Sequence, residues 1–448
     1  MRYLSLALMS CLSFAAVTAS GETTAFVNVN VLPMSSEQLL VARTVIVEDG
    51  IIRRIGAVDD TVVPDDAAVI DGTDRYLMPG LTEMHGHVTG TDDDQIRRLF
   101  GLYLANGVTT VRGMLGRPAH LELREAIRNH EVIGPRLITS GPSFNGGSVS
   151  SPAQGERMVR DQHAAGYDFL KIHPGLSRAE FAAVAATANE LGIPFAGHVP
   201  ADVGVRAALD AGIATIDHLD GYMETLIPPD SDPTGGVGGF FGLLLAGVAE
   251  QSRIESIVAA TSAAGTWNVP TQTLFEHTAD AQAPESIAEW PEMRYVDAAT
   301  VAGWVRVKND LLADPQFDRQ LADRAISLRR ELIRQLHDSG AGILLGSDSP
   351  QRFNVPGFSL HRELELLVAS GLSPYEALKT GTVSPAVFFG AGDERGSVDV
   401  GMVADLVLLD DNPLEDIGNS RRVHGTMVRG HWVSRQALDR LLAFAERR

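Results

Sequence analysis

The sequence predicts an α/β protein, a (β/α)8 TIM-like barrel with a small β-sandwich domain built from both chain ends. Two observations support this prediction. In the middle of the chain, eight short apolar runs alternate with segments whose apolar residues recur at helical spacing. At both ends, runs of β-branched residues alternate with turn signals instead. Strand–helix alternation is typical of a parallel sheet, and eight repeats predict a barrel.

Residues 1–19 have the features of a secretory signal peptide. Arg2 gives a positive start, residues 4–17 are mostly apolar, and Ala19 ends a small-residue cleavage site. The apolar run is too short to span a membrane; the alternative is a buried first strand. Cleavage would remove Cys11, the single cysteine. We therefore expect a secreted or periplasmic protein without disulfides, and no membrane insertion after cleavage.

The β-sandwich domain is assigned to residues 20–78 and 393–448. Residues 45–47 and 51–52 flank Asp49-Gly50, a strong hairpin signal. The same texture returns at 403–409 and 427–433, where Arg429-Gly430 is a predicted turn. Strands from the two ends of the chain are therefore expected to form one domain.

The barrel is assigned to residues 79–392. In several repeats a glycine precedes the apolar run and is expected to end the helix before it. The eight predicted strands are 84–88, 108–111, 136–139, 169–172, 194–197, 214–217, 267–269 and 342–346. Two insertions interrupt the repeat. Residues 228–247 are read as either a lid or a surface loop, and residues 278–341 as long helices with Trp290 and Trp304.

Composition excludes some classes of partner. The chain has 448 residues, 44% of them hydrophobic, and a formal charge of −20. A strongly acidic chain is a poor match for nucleic acid or for an anionic membrane surface. The expected partner is a small molecule, and whether the chain forms a homo-oligomer is left open.

His85 and His87 are the first candidate metal ligands. Side chains alternate along a strand, so both imidazoles should point to the same face. Imidazole is a common zinc ligand, although two histidines in this pattern are weak evidence alone. Further candidates, Lys171, His198, His218 and Asp348, follow predicted strands in order. Barrel sites lie at the carboxyl ends of strands, so these side chains are expected to converge.

A resemblance to a known family rests on these residues and on two further stretches. The stretches are Leu-Met-Pro-Gly-Leu-Thr-Glu-Met-His-Gly-His at 77–87 and Gly-Met-Val-Ala-Asp-Leu-Val-Leu-Leu at 401–409. The chain resembles the amidohydrolase superfamily, specifically its imidazolonepropionase-like and Xaa-dipeptidase-like members. The resemblance implies two divalent metal ions, with zinc favoured by the ligand types. It implies that His85, His87 and Asp348 hold one ion, that His198 and His218 hold the other, and that carboxylated Lys171 bridges them.

The implied activity is hydrolysis of an amide or related C–N bond by a metal-activated hydroxide, with Asp348 as general acid and base. Lysine inside a barrel strand is costly as a cation, which agrees with carboxylation of Lys171. His173, Tyr222 and His361 are candidate substrate contacts. Tyr222 and His361 are expected in loops over the barrel mouth, and strand-end packing is the alternative for His173. Ser148 stands where dipeptidase-like relatives often carry a histidine.

Two other functions fit the same barrel. A mononuclear-metal deaminase is one, although deaminases of this superfamily usually lack the lysine on the fourth strand. A non-catalytic binding protein is the other, although all six ligand positions are filled. The predicted entrance carries Phe144, Phe240 and Phe241 and an excess of acidic residues over cations, here Asp220, Glu224, Asp230, Asp232 and Glu276. It therefore favours neutral or cationic substrates with an apolar group.

Overall fold

The computed structural model describes residues 23–231 and 239–447. The predicted signal peptide, residues 1–19, lies outside the described residues and stays a prediction, as do residues 232–238 of the first insertion. The described strands, in chain order, are β1 (Thr23–Val31), β2 (Leu40–Glu48), β3 (Ile51–Ala57), β4 (Ala68–Asp71), β5 (Tyr76–Pro79), β6 (Leu81–Gly86), β7 (Val108–Gly113), β8 (Arg136–Thr139), β9 (Leu170–Ile172), β10 (Phe195–Gly197), β11 (Thr215–Asp217), β12 (Trp267–Val269), β13 (Leu406–Leu409), β14 (Val423–Val428) and β15 (His431–Ser434).

The helices lie mainly between β6 and β13. They are α1 (Asp93–Ala105), α2 (Pro118–Arg128), α3 (Pro152–Ala165), α4 (Arg178–Leu191), α5 (Val205–Asp210), α6 (Tyr222–Thr225), α7 (Ile254–Ala264), α8 (Gln272–Ala279), α9 (Pro284–Ala288), α10 (Ala298–Ala313), α11 (Arg319–Asp338), α12 (Phe358–Ala369), α13 (Pro374–Gly381), α14 (Val383–Phe388) and α15 (Arg435–Ala445). Short 3₁₀ turns occupy Phe240–Leu245, Gln251–Arg253, Pro291–Tyr295 and Ile417–Arg421.

Strands from both ends of the chain pair in one sheet, as the sequence predicts. Its order is β15-β14-β13-β5-β1-β2-β3, with β4 paired to β1. The two ends meet where β5 runs antiparallel to β13, with Met78 opposite Val407. Phe26 and Trp432, one from each end, pack edge to face at a ring-centroid distance of 5.3 Å. The shared apolar layer holds the two ends together.

The middle of the chain forms two parallel sheets, β6-β7-β8 and β9-β10-β11-β12. A parallel bridge between Ser140 and Phe169 links them. Residues 342–349, predicted to contain the eighth strand, form isolated parallel bridges instead of a regular strand. These bridges join Ile343 to Asn268 in β12, and Ser349 to Gly86 in β6. The observed architecture is an α/β fold whose parallel strands are consistent with a TIM-like barrel, plus a sheet domain.

Local sequence signals explain where several helices begin and end. Ser177 caps α4 in a reciprocal capping box with Glu180. Gly192 ends the same helix with a φ of 70°, a left-handed conformation that glycine adopts without steric cost. Gly166 and Gly265 end α3 and α7 in the same way. After each of these glycines the chain continues into the next parallel strand.

The second insertion is helical, as predicted, and its long helix α11 packs against α7 and α8. Trp290 and Trp304 contact an apolar cluster that includes Met293 and Phe353. Within the described ranges, no helix combines the length and the apolar character needed to cross a membrane.

Candidate metal centre

His85, His87 and Asp348 form a compact group at the carboxyl ends of the parallel strands. His85 is the fifth residue of β6, and His87 follows that strand. The His87 Nε2 atom lies 2.7 Å from Asp348 Oδ1, and His85 Nε2 lies 3.6 Å from the same oxygen. Ligand atoms of the three residues all lie within 4.8 Å of one another. Two imidazoles and one carboxylate at this spacing can hold a divalent metal ion.

The other three predicted ligands adjoin this group. Lys171 Nζ lies 3.5 Å from His85 Nε2, and the His218 ring centroid is 4.5 Å from that of His85. The His198 ring lies 4.6 Å from the His218 ring. Residues from β6, β9 and the ends of β10 and β11 therefore meet at one place, as the strand-end argument predicts.

The buried histidines are held in the neutral form that binds metals. Burial lowers the pKa of His85 well below its usual value, and the neighbouring Lys171 lowers it further. Burial also lowers the pKa of His218, with His85 as the next cause. A neutral imidazole keeps a lone pair free for a cation, so the donor set fits a metal ion.

The structure adds three orienting residues that sequence reasoning did not identify. Asp217 Oδ2 lies 2.8 Å from His85 Nδ1. The two atoms do not have the alignment that a hydrogen bond requires, so the contact is electrostatic. Asp220 Oδ2 lies 3.0 Å from His198 Nδ1, and Thr271 Oγ1 lies 2.8 Å from His218 Nδ1. Such partners fix ring orientation in metal sites. The sequence signal was available for the two aspartates, which flank His218 in Ile-Asp-His-Leu-Asp.

Arg112 stabilises the buried carboxylate of Asp217 beneath the candidate metal ligands. Its guanidinium donates to both oxygens of Asp217 at 3.2 Å and to the Met84 carbonyl at 2.6 Å. Burial alone would raise the pKa of Asp217, but Arg112 and Lys171 outweigh that effect and the pKa is lowered. Asp217 is therefore a buried anion stabilised chiefly by its contact with Arg112.

Glu83 ties the first parallel strand to the segment that carries Asp348. It accepts hydrogen bonds from the backbone N–H groups of His85, at 3.0 Å, and Ser347, at 2.8 Å. The Ser347 hydroxyl donates to the same carboxyl group. Burial raises the pKa of Glu83 to about 8. These bonds fix the backbone on either side of the candidate ligands.

Lys171 is completely buried. Among the described residues, no carboxylate lies within ion-pair distance of its amine. Burial lowers the pKa of Lys171 to about 8, although the charges of Asp217 and Asp348 oppose this effect from a longer distance. Space for the side chain comes from Gly197, which has a φ of +124°. A Cβ there would lie 3.2 Å from Lys171 Nζ and 2.5 Å from the Ile172 carbonyl oxygen. The fold thus leaves room around an amine that forms no ion pair.

The candidate substrate contacts have different outcomes. His173 is half-buried beside the cluster, with its ring 5.1 Å from that of His198. The predicted loop placement of Tyr222 requires a correction, because it begins α6, where it is fully buried and its hydroxyl is bonded to Thr261 and Asn268. His361 also requires one. It lies in α12 and not in a loop, it is buried, and its Nδ1 pairs with Ser420 Oγ.

An apolar wall lies over the cluster. The Phe241 ring stacks on His218 at 4.8 Å and contacts Phe240 at 4.5 Å. The Arg352 guanidinium lies 4.3 Å from the centre of the Phe240 ring. Among the described residues, Arg352 has no hydrogen-bond or ion-pair partner. A half-buried cation therefore lies beside the apolar wall, a feature absent from the sequence prediction.

The predicted acidic entrance is only partly present. Phe144 is fully buried and does not line it. Asp220 is held by His198, and Glu276 forms an ion pair with Arg330 at 2.6 Å. Asp232 lies outside the described residues. The charge of the entrance therefore depends on Arg352 as well as on the acidic residues.

Several solved structures have the same fold. One is a protein assigned as a prolidase from Bifidobacterium longum, with 24% identity and a TM-score of 0.68; the match covers 95% of this chain and 99% of that one. A bottromycin amidohydrolase matches with 24% identity and a TM-score of 0.72, covering 95% and 90%. A Xaa-Pro dipeptidase with bound methionine matches at 19% identity and a TM-score of 0.66, covering 92% and 100%. At these identities the likeness establishes the fold alone.

The comparison with curated proteins gave no significant match. The model of the amidohydrolase family matches residues 76–433, most of the chain and the whole of the described metal cluster. The chain therefore belongs to the amidohydrolase family and is a hydrolase.

Proposed function

We propose that the parallel strands form a closed (β/α)8 barrel over residues 79–392, with residues 20–78 and 393–448 as a β-sandwich domain. Support comes from the three parallel bridges at Ser140, Asn268 and Gly86, which connect the two parallel sheets and the segment 342–349 in a ring. A closed barrel would place every candidate ligand at one mouth.

We propose that this site hydrolyses an amide or related C–N bond with the help of two divalent metal ions. The observation that carries the proposal is the meeting of four histidines, Lys171 and Asp348 in one cluster. The ligands would be His85, His87 and Asp348 for one ion, His198 and His218 for the other, and Lys171 for both. Bound there, the ions would supply a water molecule of lowered pKa and polarise the scissile carbonyl.

Carboxylation of Lys171 is part of this proposal. The amine is completely buried and forms no ion pair among the described residues, and a buried cation without a direct ion pair is costly. Carbon dioxide adds to the neutral amine with loss of one proton, and the product is a carbamate anion. That anion can neutralise part of the charge of two cations, and Gly197 leaves room beside the nitrogen.

Asp348 would move the proton that hydrolysis requires. Its carboxylate would accept a proton from the attacking water as oxygen bonds to the carbonyl carbon, then deliver it to the nitrogen as the C–N bond breaks. The backbone N–H of Asp348 donates to the His85 carbonyl at 2.8 Å. This bond holds the carboxylate beside the candidate ligands.

The first prediction concerns metal content. Protein produced with zinc should contain about two ions per chain, because the nitrogen and oxygen ligands suit zinc. Elemental analysis should be combined with amide hydrolysis before and after chelation. Loss of activity on chelation, restored by zinc, supports the proposal. One ion per chain would favour a mononuclear deaminase, and a stably folded metal-free protein would favour a binding role.

The second prediction tests the orienting role of Asp217. The Asp217→Asn variant should bind metal about 10- to 100-fold more weakly, since it removes the charge beside His85 Nδ1. Competition with a chromophoric chelator measures this affinity, and circular dichroism checks the fold. Asp210→Asn, an exposed change of the same kind on α5, should match the parent protein. Equal metal affinity in Asp217→Asn and the parent protein would show that Asp217 pairs with Arg112 and does not orient His85.

For the substrate we propose an N-acyl amino acid or a dipeptide-like amide with an apolar group. The apolar group would lie against Phe240 and Phe241, and a free carboxylate would pair with Arg352. This proposal replaces the sequence-based preference for neutral or cationic substrates, because Arg352 forms no ion pair among the described residues and only the more distant Asp348 acts on its charge. Support also comes from its place beside the ring of Phe240, which contacts the wall over His218.

The third prediction follows from Arg352. Arg352→Gln should raise KM about 10-fold for a substrate with a free carboxylate and leave kcat nearly unchanged, since a uniform binding interaction is lost. Steady-state kinetics on a matched pair, the carboxylate and its carboxamide, measures the difference. The carboxamide is the control, and its KM should not change. An equal effect on both would assign Arg352 a structural role.

A further inference from the structure

A second cavity, of about 530 Å³, lies at the opposite ends of the parallel strands from the metal cluster. Arg136, the first residue of β8, lines it, as do Phe169, Pro194 and Ala214, which directly precede β9, β10 and β11. The candidate metal ligands lie at the carboxyl ends of the same strands. This amino-end cavity is therefore separate from the proposed active site.

The charge of the amino-end cavity opposes that of the whole chain. Its lining contains one acidic residue, Asp168, and six arginines: Arg112, Arg124, Arg128, Arg136, Arg395 and Arg429. The chain as a whole carries a formal charge of −20. An arginine cluster in such a chain indicates a local preference for anions.

Three of the six arginines are neutralised by neighbours. Arg112 is paired with Asp217, as described above. Arg124 lies 2.9 Å from Asp168, and Arg128 forms an ion pair with Glu125. These three contribute little net charge to the cavity.

The remaining three share too few anions. Asp405 pairs with Arg136 at 3.2 Å through one oxygen, and its other oxygen accepts the backbone N–H of Arg429 at 2.7 Å. Among the described residues, Arg395 forms one ion pair, with Glu394 at 3.4 Å, and the Glu394 side chain is 69% exposed. Burial lowers the pKa of both Arg395 and Arg429; Arg136 lowers each further, and Asp405 offsets part of the decrease. The Arg136 guanidinium therefore repels those of Arg395 and Arg429, and one carboxylate serves all three.

Two of these guanidinium groups also have unused donors. The Nε atoms of Arg136 and Arg429 are buried, and neither has a hydrogen-bond partner among the described residues. A buried donor without a partner destabilises the folded protein. A ligand with anionic oxygens would satisfy these donors and relieve the repulsion.

The rest of the lining suits an apolar group. Phe169, Phe388 and Leu137 face the same space. The Arg112 guanidinium lies 5.5 Å from the Phe169 ring centre and 5.7 Å from that of Phe388. The volume falls within the range of roughly 300–1,000 Å³ typical of small-molecule sites.

We propose that the amino-end cavity binds a small organic anion, with a carboxylate or phosphate group on Arg136, Arg395 and Arg429 and an apolar body against Phe169 and Phe388. Anion binding in this cavity does not require the proposed hydrolysis to be correct. The floor of the cavity includes Arg112, so an occupant would touch the residue that holds Asp217 beside His85.

Isothermal titration calorimetry on the zinc-loaded protein tests the proposal. The probes are benzoate with its neutral isostere benzamide, and phenyl phosphate with inorganic phosphate. We expect benzoate or phenyl phosphate to bind at one site at least about 10-fold more tightly than benzamide and inorganic phosphate respectively. The tighter of the two anions identifies the preferred anionic group.

Arginine variants locate the binding. Arg395→Gln and Arg429→Gln should each weaken anion binding about 10-fold, whereas Arg53→Gln, an exposed arginine of β3 outside the cavity, should not. Arg395 lies in a loop with one weak ion pair, so its variant carries the test if Arg429→Gln does not fold. Equal affinity in Arg395→Gln and the parent protein would place the anion elsewhere, for example at the metal centre, and overturn the proposal. The absence of binding by both aromatic anions would overturn it too.

Discussion

Lys171→Ala is expected to lose its bound metal and to lower kcat for amide hydrolysis by about 10³-fold or more. Two cations held mainly by neutral histidines need a bridging anion, and Asp348 is the only other anionic ligand in the proposed set. Metal ions supply several kcal/mol of charge stabilisation in hydrolysis, and each factor of ten in rate corresponds to about 1.36 kcal/mol. Elemental analysis and steady-state kinetics on the same preparation measure both effects.

Lys379→Ala is the matched control for this change. Lys379 is a half-buried lysine of α13 whose amine lies 5.8 Å from the Tyr375 ring centre. Its variant should keep both metal and activity. Added acetate or propionate should partly restore turnover in Lys171→Ala, because either anion can occupy the space beside Gly197. Full metal content and full activity in Lys171→Ala would show that the lysine is structural.

The positions of the candidate ligands could be predicted because they depend on one rule of parallel strands. His85, Lys171, His198 and His218 follow apolar runs whose ends the sequence marks clearly, and parallel strands bring those ends together. The eighth segment was located by the same pattern. Its bridged, irregular backbone around Asp348, which has a φ of +58°, has no signal in the sequence.

The contacts that orient the ligands could not be predicted from spacing. Asp217 reaches His85 from another strand, and its charge is tolerated because Arg112 comes from a third. The role of Arg112 depends on which side chain faces it across the strands, and spacing along the sequence does not give that. Thr271 likewise meets His218 through a left-handed backbone turn with a φ of 45°.

Tyr222 and His361 show why a position in a loop is hard to predict from the sequence. Both follow strand ends at a distance that suits the mouth, yet the chain folds into α6 and α12 at these points and both side chains turn inward. Tyr222 satisfies its hydroxyl on Thr261 and Asn268. Burying an aromatic ring with its polar end satisfied is favourable, so packing outcompetes exposure here.

Asp348→Asn is expected to lower kcat for an alkyl amide by about 10² or more and to change KM less, because proton transfer is required mainly in the transition state. Since Asp348 is also a proposed ligand, metal content must be measured in the same preparation. Asp393→Asn, an exposed change in the loop after α14, is the control and should keep full activity.

The leaving group separates the two roles of Asp348. An alkyl amine must be protonated as the C–N bond breaks, whereas an activated aryl leaving group departs with little help from an acid. If Asp348 delivers the proton, the loss in Asp348→Asn should be about 10-fold smaller for an activated anilide or aryl ester than for the alkyl amide. A ligand that only holds metal would affect both substrates equally. An equal loss, accompanied by reduced metal content, would therefore assign Asp348 to metal binding alone and leave the proton carrier to be found among the neighbouring histidines.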